Sequence, residues 1–202
     1  MHFIRAYLPY CLLAFLTACA SLPPPAPSTT DLAYHLHQQH QASLNRIGQF
    51  ELKGRLGVQA DGKGFSGNVH WQHSADLDDI RLYSPLGSQV ASIKKTASGI
   101  VLEDGKGQQI SGTDAESLMQ SVLGWRLPLN GLADWVLGRP TSSSTASQLW
   151  DEQGHALSLN QSDWAMDYQN YAATSQYVLP HKIALKNQRV QLKLLVEKWT
   201  LE

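Results

Sequence analysis

From Phe50 onward, apolar residues recur at every second position. Phe50, Leu52, Leu56 and Val58 alternate with Glu51, Lys53, Arg55 and Gln59, and Phe65, Gly67, Val69 and Trp71 alternate with Ser66, Asn68, His70 and Gln72. Successive side chains of a strand point to opposite faces, so these segments are strands with one apolar and one polar face. Asp61-Gly62-Lys63-Gly64 between them reads as a hairpin turn, and the same tetrapeptide recurs at Asp104-Gly105-Lys106-Gly107. Shorter strands are expected at 80–83, 89–94, 99–103 and 108–111. After a polar loop over 141–147 they resume at 148–151, 156–160, 164–171, 182–185 and 189–199. The pattern is an antiparallel meander whose single apolar face must be covered by something else.

Helices are the only candidates for that cover. One is expected over 31–47, capped by Thr30 or Asp31, ended by Gly48, with Leu32, Leu36, Leu44 and Ile47 on one face. Thr113-Asp114-Ala115-Glu116 has the form of a capping box, followed by Leu118, Met119, Val122 and Leu123 and closed by Gly124. A third helix starts near Asn130, presents Leu132, Trp135 and Val136, and ends at Gly138 before Pro140. The fold class is therefore mainly β with helices (α+β), and residues 31–202 form one domain. Three helices are few for so many strands, and a curved sheet under-filled by its own helices leaves an apolar cavity.

Charge and motif content exclude several functions. Sixteen basic against 17 acidic residues give a formal net charge of −1, with no basic footprint for nucleic acid. Gly62-Lys63-Gly64-Phe65-Ser66-Gly67 matches the dinucleotide fingerprint formally, but a strand pattern follows it where a helix is required. No phosphate loop, nucleophile elbow or HExxH pair occurs. His35, His37 and His40 lack the one-turn spacing of a helical metal site and read as a solvated face. Asp76, Asp78 and Asp79 lack a Ca²⁺-loop pattern and read as a polar turn. No catalytic residue, metal or cofactor is expected, and the chain reads as a monomeric container or adaptor, not an enzyme.

The N-terminus carries an address. Arg5 precedes the apolar run Leu12-Leu13-Ala14-Phe15-Leu16, too short to span a bilayer, and residues 1–18 read as a signal peptide. It ends in Leu16-Thr17-Ala18-Cys19, which resembles the lipobox of bacterial lipoproteins, cut before a cysteine that then carries lipid. The two cysteines are Cys11 and Cys19, so cleavage and lipidation of Cys19 leave no free thiol, as suits an oxidising compartment. Residues 19–30 form a Pro-rich tether; a polyproline rise of about 3.1 Å per residue would hold the domain roughly 30 Å from the bilayer. Ala20 stands where inner-membrane lipoproteins commonly carry Asp, and the resemblance implies the outer membrane.

Several segments in order resemble the LolB family of outer-membrane lipoproteins. They are the lipobox, Leu44-Asn45-Arg46-Ile47, Trp71-Gln72, Ser84-Pro85-Leu86-Gly87-Ser88, Pro128-Leu129-Asn130-Gly131-Leu132 and Trp135-Val136-Leu137-Gly138. Trp164 with Tyr168, Leu179-Pro180, and Val190-Gln191-Leu192-Lys193 leading to Trp199 complete the series. The first residue of the Ser-Pro-Leu-Gly piece departs from the Asn common in that pattern, which leaves the turn chemistry intact. The resemblance implies an incomplete antiparallel barrel whose concave face is covered by helices. It implies a protein that receives lipoproteins from a LolA-like periplasmic carrier, holds their acyl chains, and inserts them into outer-membrane lipid. Leu52, Leu56, Val69, Trp71, Leu82, Leu118, Val122, Trp135, Met166, Leu192 and Leu194 are the candidate cavity wall; each is equally a candidate for ordinary core. Pro85, Leu86 and Gly87 are the candidate membrane-insertion loop, because the leucine of this turn protrudes in the family. Storage of another hydrophobic ligand and a structural docking role are the alternatives.

Overall fold

A computed structural model describes residues 25–124, 129–142 and 144–201. Eleven antiparallel strands form one sheet. The first half comprises β1 (Phe50–Ala60), β2 (Lys63–His73), β3 (Leu77–Tyr83), β4 (Gln89–Thr96), β5 (Gly99–Asp104) and β6 (Gln109–Gly112). The second comprises β7 (Ala146–Trp150), β8 (Ala156–Gln161), β9 (Trp164–Thr174), β10 (Tyr177–Lys186) and β11 (Val190–Leu201). Helix α1 (Asp31–Leu44) precedes the sheet, and α2 (Ala115–Leu123) and α3 (Leu129–Leu137) lie between its halves.

The strand order is β6-β5-β4-β3-β2-β1-β11-β10-β9-β8-β7. First and last strands are therefore neighbours at the centre, while the two free edges, β6 and β7, are consecutive along the chain. The sheet does not close into a barrel, and the segment that crosses from one edge to the other is α2–α3. Topology alone thus carries the helices across the open side, where α2 meets β5 and β6 and α3 meets β10. The alternation sets the register: Leu56 faces Leu194 on β11, Leu52 faces Trp71 on β2, and Val69 faces Leu82 on β3, all buried on the inner face.

The repeated tetrapeptide makes two different turns. At the first, Lys63 and Gly64 already pair with Ala60 and Gln59, so Asp61 (φ 46°) and Gly62 (φ 77°) alone reverse the chain. Positive φ at both central residues is the two-residue hairpin geometry matched to strand twist. At the second, Asp104 closes a wider loop by accepting the Lys106 and Gln108 amides at 2.8 and 2.9 Å, with Gly107 at φ 79°. β6 is correspondingly one residue later than the pattern suggests, and most other strands run one to six residues longer.

Five local expectations are corrected. Helix α1 begins as expected, with Thr30 Oγ1 accepting the Ala33 amide at 3.2 Å, but stops at Leu44 rather than Ile47. Its end is taken by Arg139 at the end of α3: the guanidinium donates to the carbonyls of Leu44 and Ile47 and pairs with Asp134 at 2.6 Å. Second, α1 turns two of its three expected solvent-facing histidines inward, His37 and His40. His37 is buried, with Nδ1 3.0 Å from the Gly154 carbonyl, Nε2 3.3 Å from Gln148 Oε1 and its ring stacked on Trp150. His40 is half-buried with Nε2 2.9 Å from the Val178 carbonyl; Leu32 of the expected apolar face is exposed, and so is His35. Third, Asp78 and Asp79 are not in a turn but on β3, both buried. Asp78 accepts from Trp71 Nε1 at 3.0 Å and lies 2.7 Å from His73 Nδ1, while Asp79 accepts two bonds from Arg81. Fourth, the cap of α2 is Asp114, whose carboxylate accepts from Ser117, one residue after the expected Thr113. The third helix is regular only after Gly131 (φ 88°), slightly later than the expected start at Asn130.

Candidate functional site

Between the concave face and the two covering helices lies an apolar cavity of about 40 Å³. Seven of the eleven wall candidates line it: Leu52, Leu56, Val69, Trp71, Leu82, Leu192 and Leu194. They sit on β1, β2, β3 and β11, at and beside the centre of the sheet. Ile80, Ile93, Met119, Leu132, Val136 and Leu185 complete the lining. Of these, Ile80 and Ile93 keep the same strand parity as Leu82, and Leu185 pairs with Leu192, so the alternation already contained them. Met119 and Val136 depend on helix phase, which a nine-residue helix leaves loosely defined.

Three candidates lie elsewhere. Met166 is fully buried but does not line the cavity. Leu118 is half-buried, packed at the rim beside Gly112. Trp135 is buried because it fixes α3 to the far half of the sheet. Its Nε1 donates to Gln161 Oε1 at 2.8 Å, and its carbonyl accepts from Tyr168 Oη at 2.8 Å. Gln161 also accepts the Thr141 amide and donates to the carbonyls of Thr141 and Ser144, so its amide is fully satisfied while buried. Burial around Tyr168 holds its phenol neutral, well above its ordinary range, so at neutral pH it remains a donor to α3. The Val122 side chain and Cys19, with the signal and the start of the tether, lie outside the described residues.

The β3–β4 turn has the opposite character. Gly87 N donates to the Ser84 carbonyl at 2.9 Å and Ser84 N to the Ser88 carbonyl at 2.8 Å, which makes Pro85-Leu86-Gly87 a three-residue loop. Proline suits the first position, and Gly87 takes φ 89°, the left-handed geometry that completes such a loop. Leu86 is left at the tip, 96 % exposed, the most exposed large apolar residue described. A turn normally places a polar residue there. A leucine left this exposed presents its apolar surface to whatever approaches the turn.

Residues 48–199 match the family model described as "Outer membrane lipoprotein LolB". The chain belongs to the LolB family. Relatives with the name outer-membrane lipoprotein LolB extend over nearly the whole sequence. That of Psychromonas ingrahamii is 33 % identical over 207 residues, covering 98 % of each chain. That of Tolumonas auensis is 31 % identical over 192 residues, covering 95 % of this chain and 94 % of the relative. That of Pseudomonas syringae pv. syringae is 30 % identical over 197 residues, covering 98 % and 96 %. Among solved structures, a LolA superfamily protein from Nitrosomonas europaea superposes with a TM-score of 0.54 at 10 % identity, over 87 % of this chain and 94 % of that one. A putative outer membrane lipoprotein-sorting protein domain from Vibrio parahaemolyticus does so with a TM-score of 0.55 at 10 % identity, over 83 % and 91 %. These two likenesses establish the fold. Membership in LolB gives the protein its place as an outer-membrane lipoprotein with a role in lipoprotein sorting. No described helix is long and apolar enough to cross a membrane.

Proposed function

We propose that this LolB-family protein takes the acyl chains of lipoproteins from a LolA-like carrier into its cavity and inserts them into the outer membrane, itself anchored through lipidated Cys19. Two apolar surfaces support the reading, one lining the cavity under the helices and one presented to solvent at Leu86. The first suits alkyl chains, since every lining side chain is apolar. At about 40 Å³ it holds little more than a few water-sized spheres. Uptake therefore requires the covering helices to part from the sheet. Helix α3 is pinned through Trp135, Gln161 and Tyr168, whereas α2 packs mainly on β5 and the short edge strand β6. Movement of α2, withdrawing Met119, opens the cavity at least cost.

No nucleotide site is evident in the sequence, so cargo moves down a gradient of affinity from carrier to receptor to bilayer. The exposed Leu86 is the observation that carries the delivery step. Full burial of a leucine in hydrocarbon contributes roughly 1.5–3 kcal/mol, whereas a carboxylate at the same place opposes entry. Leu86→Glu is expected to fold with an unchanged Tm, to receive cargo from a loaded carrier, and to deliver it poorly to liposomes. Delivery at the parent rate would remove Leu86 from the mechanism.

A further inference from the structure

On the outer face of the central strands, charge is unbalanced. Six cations project from β10, β11 and β1 (Lys53, Arg55, Lys182, Lys186, Lys193 and Lys198), against Glu51 and Glu197 there and Asp167 on neighbouring β9. Lys53 pairs with Glu51 at 2.8 Å, Arg55 with Glu197 at 2.9 Å and Lys186 with Asp167 at 3.5 Å. Lys182, Lys193 and Lys198 are exposed and make no ion pair among the described residues. The chain is acidic as a whole, so this surplus is local.

The path toward the N-terminus runs across the same face. Ser28 N donates to the Trp150 carbonyl at the end of edge strand β7, at 2.8 Å, and Pro25 lies in an outer groove shared with Asp167, Lys182 and Lys193. Cys19 is six residues before Pro25, a separation that covalent geometry limits to about 20 Å. Cys19 is thus held within that distance of Pro25, which shares its groove with Lys182 and Lys193.

The register also brings the Leu86 loop to this surface. Lys193 faces Gly57, Gly57 faces Ser66, and Tyr83 pairs with Asn68, so the turn after Tyr83 runs beside Gly67 and Ser66. From β11 to β3 is three strand spacings, roughly 14 Å along the sheet.

We infer that the outer face of β10–β11–β1 is a docking surface for the anionic phospholipid headgroups of the bilayer that holds the protein's own anchor, with Lys182, Lys193 and Lys198 as its contacts. The inference rests on the proposed lipidation of Cys19 for its geometry, but its chemistry is independent of the lipid. The domain lies on the membrane with this face down and Leu86 at the margin, rather than standing off at the end of a free tether.

The test uses the chain without its signal and with Cys19→Ala, so that no acyl anchor contributes. Binding is measured to phosphatidylcholine vesicles with and without phosphatidylglycerol, at low and high salt. Preference for the anionic vesicles, abolished by salt, is expected. Lys182→Gln, Lys193→Gln and Lys198→Gln are each expected to weaken binding roughly fivefold, and together by about two orders of magnitude, with receipt of cargo unchanged. Triple-variant binding equal to the parent overturns the inference. So does equal binding to both vesicles that only Leu86→Glu abolishes, since the loop is then the whole contact. Loss of carrier binding with vesicle binding intact also overturns it, and assigns the face to an acidic protein. Failure of the parent to receive cargo is a separate result, directed at the proposed function alone.

Discussion

Leu192 separates a cavity wall from a plain core. It lies on β11 between Val58 of β1 and Leu185 of β10, is buried, and faces the apolar void under Met119 and Val136. Truncating it to alanine removes packing on the sheet side and enlarges a void already present. For a buried leucine that costs about 2–5 kcal/mol, the lower part of the range applying where a pre-existing gap means fewer contacts are lost. In an ordinary core, binding and stability would fall together. Here they are expected to separate: Leu192→Ala lowers the urea midpoint yet binds a fluorescent fatty-acid probe more tightly, because α2 need withdraw less to admit it. Leu192→Glu moves binding the other way, since desolvating a carboxylate there costs several kcal/mol unless it protonates or reaches water. Equilibrium urea unfolding and probe titration on the same samples read both quantities. A Leu192→Ala protein that loses stability and probe affinity in parallel would refute the assignment of this void to acyl chains.

Three further outcomes are expected. Burial and the neighbouring His155 and His37 lower the pKa of His40, against the raising effects of the Val178 carbonyl and Asp151. The unfolded chain then binds protons below about pH 6.5 that the folded chain does not, so stability falls as pH drops through that value, and His40→Gln should flatten the dependence in thermal melts from pH 7.5 to 5. Arg139→Met removes the charged donor that ends α1 and should lower stability by roughly 2–3 kcal/mol in urea titrations, with increased amide exchange at the C-terminal turn of α1. Cys19→Ala without residues 1–18 should be recovered free of membranes yet still take up lipoprotein; a folded form that cannot would place the lipid in the transfer site itself.

The alternation from Phe50 was enough to name the strands and the concave side, because strand parity is a local property and one apolar face leaves little freedom in register. Leu86 was legible for the same reason in reverse: a large apolar residue in a Pro-x-Gly turn has no local partner. Features that depend on tertiary partners were not legible. Asp78 and Asp79 look like a turn because buried carboxylates are rare, and it takes Trp71, His73, Arg81 and Lys94 to make them acceptable on β3. His37 and His40 read as solvated until Gly154, Gln148 and Val178 supply their partners. The end of α1 is set by Arg139, almost a hundred residues away in sequence. Trp135 illustrates the limit most clearly, since an inward tryptophan reads as cavity wall, and its indole N–H to Gln161 instead makes it the fixed point of α3.

The central claim is that cargo acyl chains enter this cavity and not merely this protein. A photo-crosslinking residue placed at Met119 or Leu192, with another at the exposed outer-face position Gln169 as control, tests it directly. Each variant, soluble through Cys19→Ala, is mixed with a LolA-like carrier loaded with lipoprotein bearing radiolabelled acyl chains and then irradiated. Label is expected to crosslink at positions 119 and 192, to appear only after the carrier is added, and to disappear when liposomes are supplied. Labelling at 169 alone, or label that stays on the carrier throughout, would contradict it.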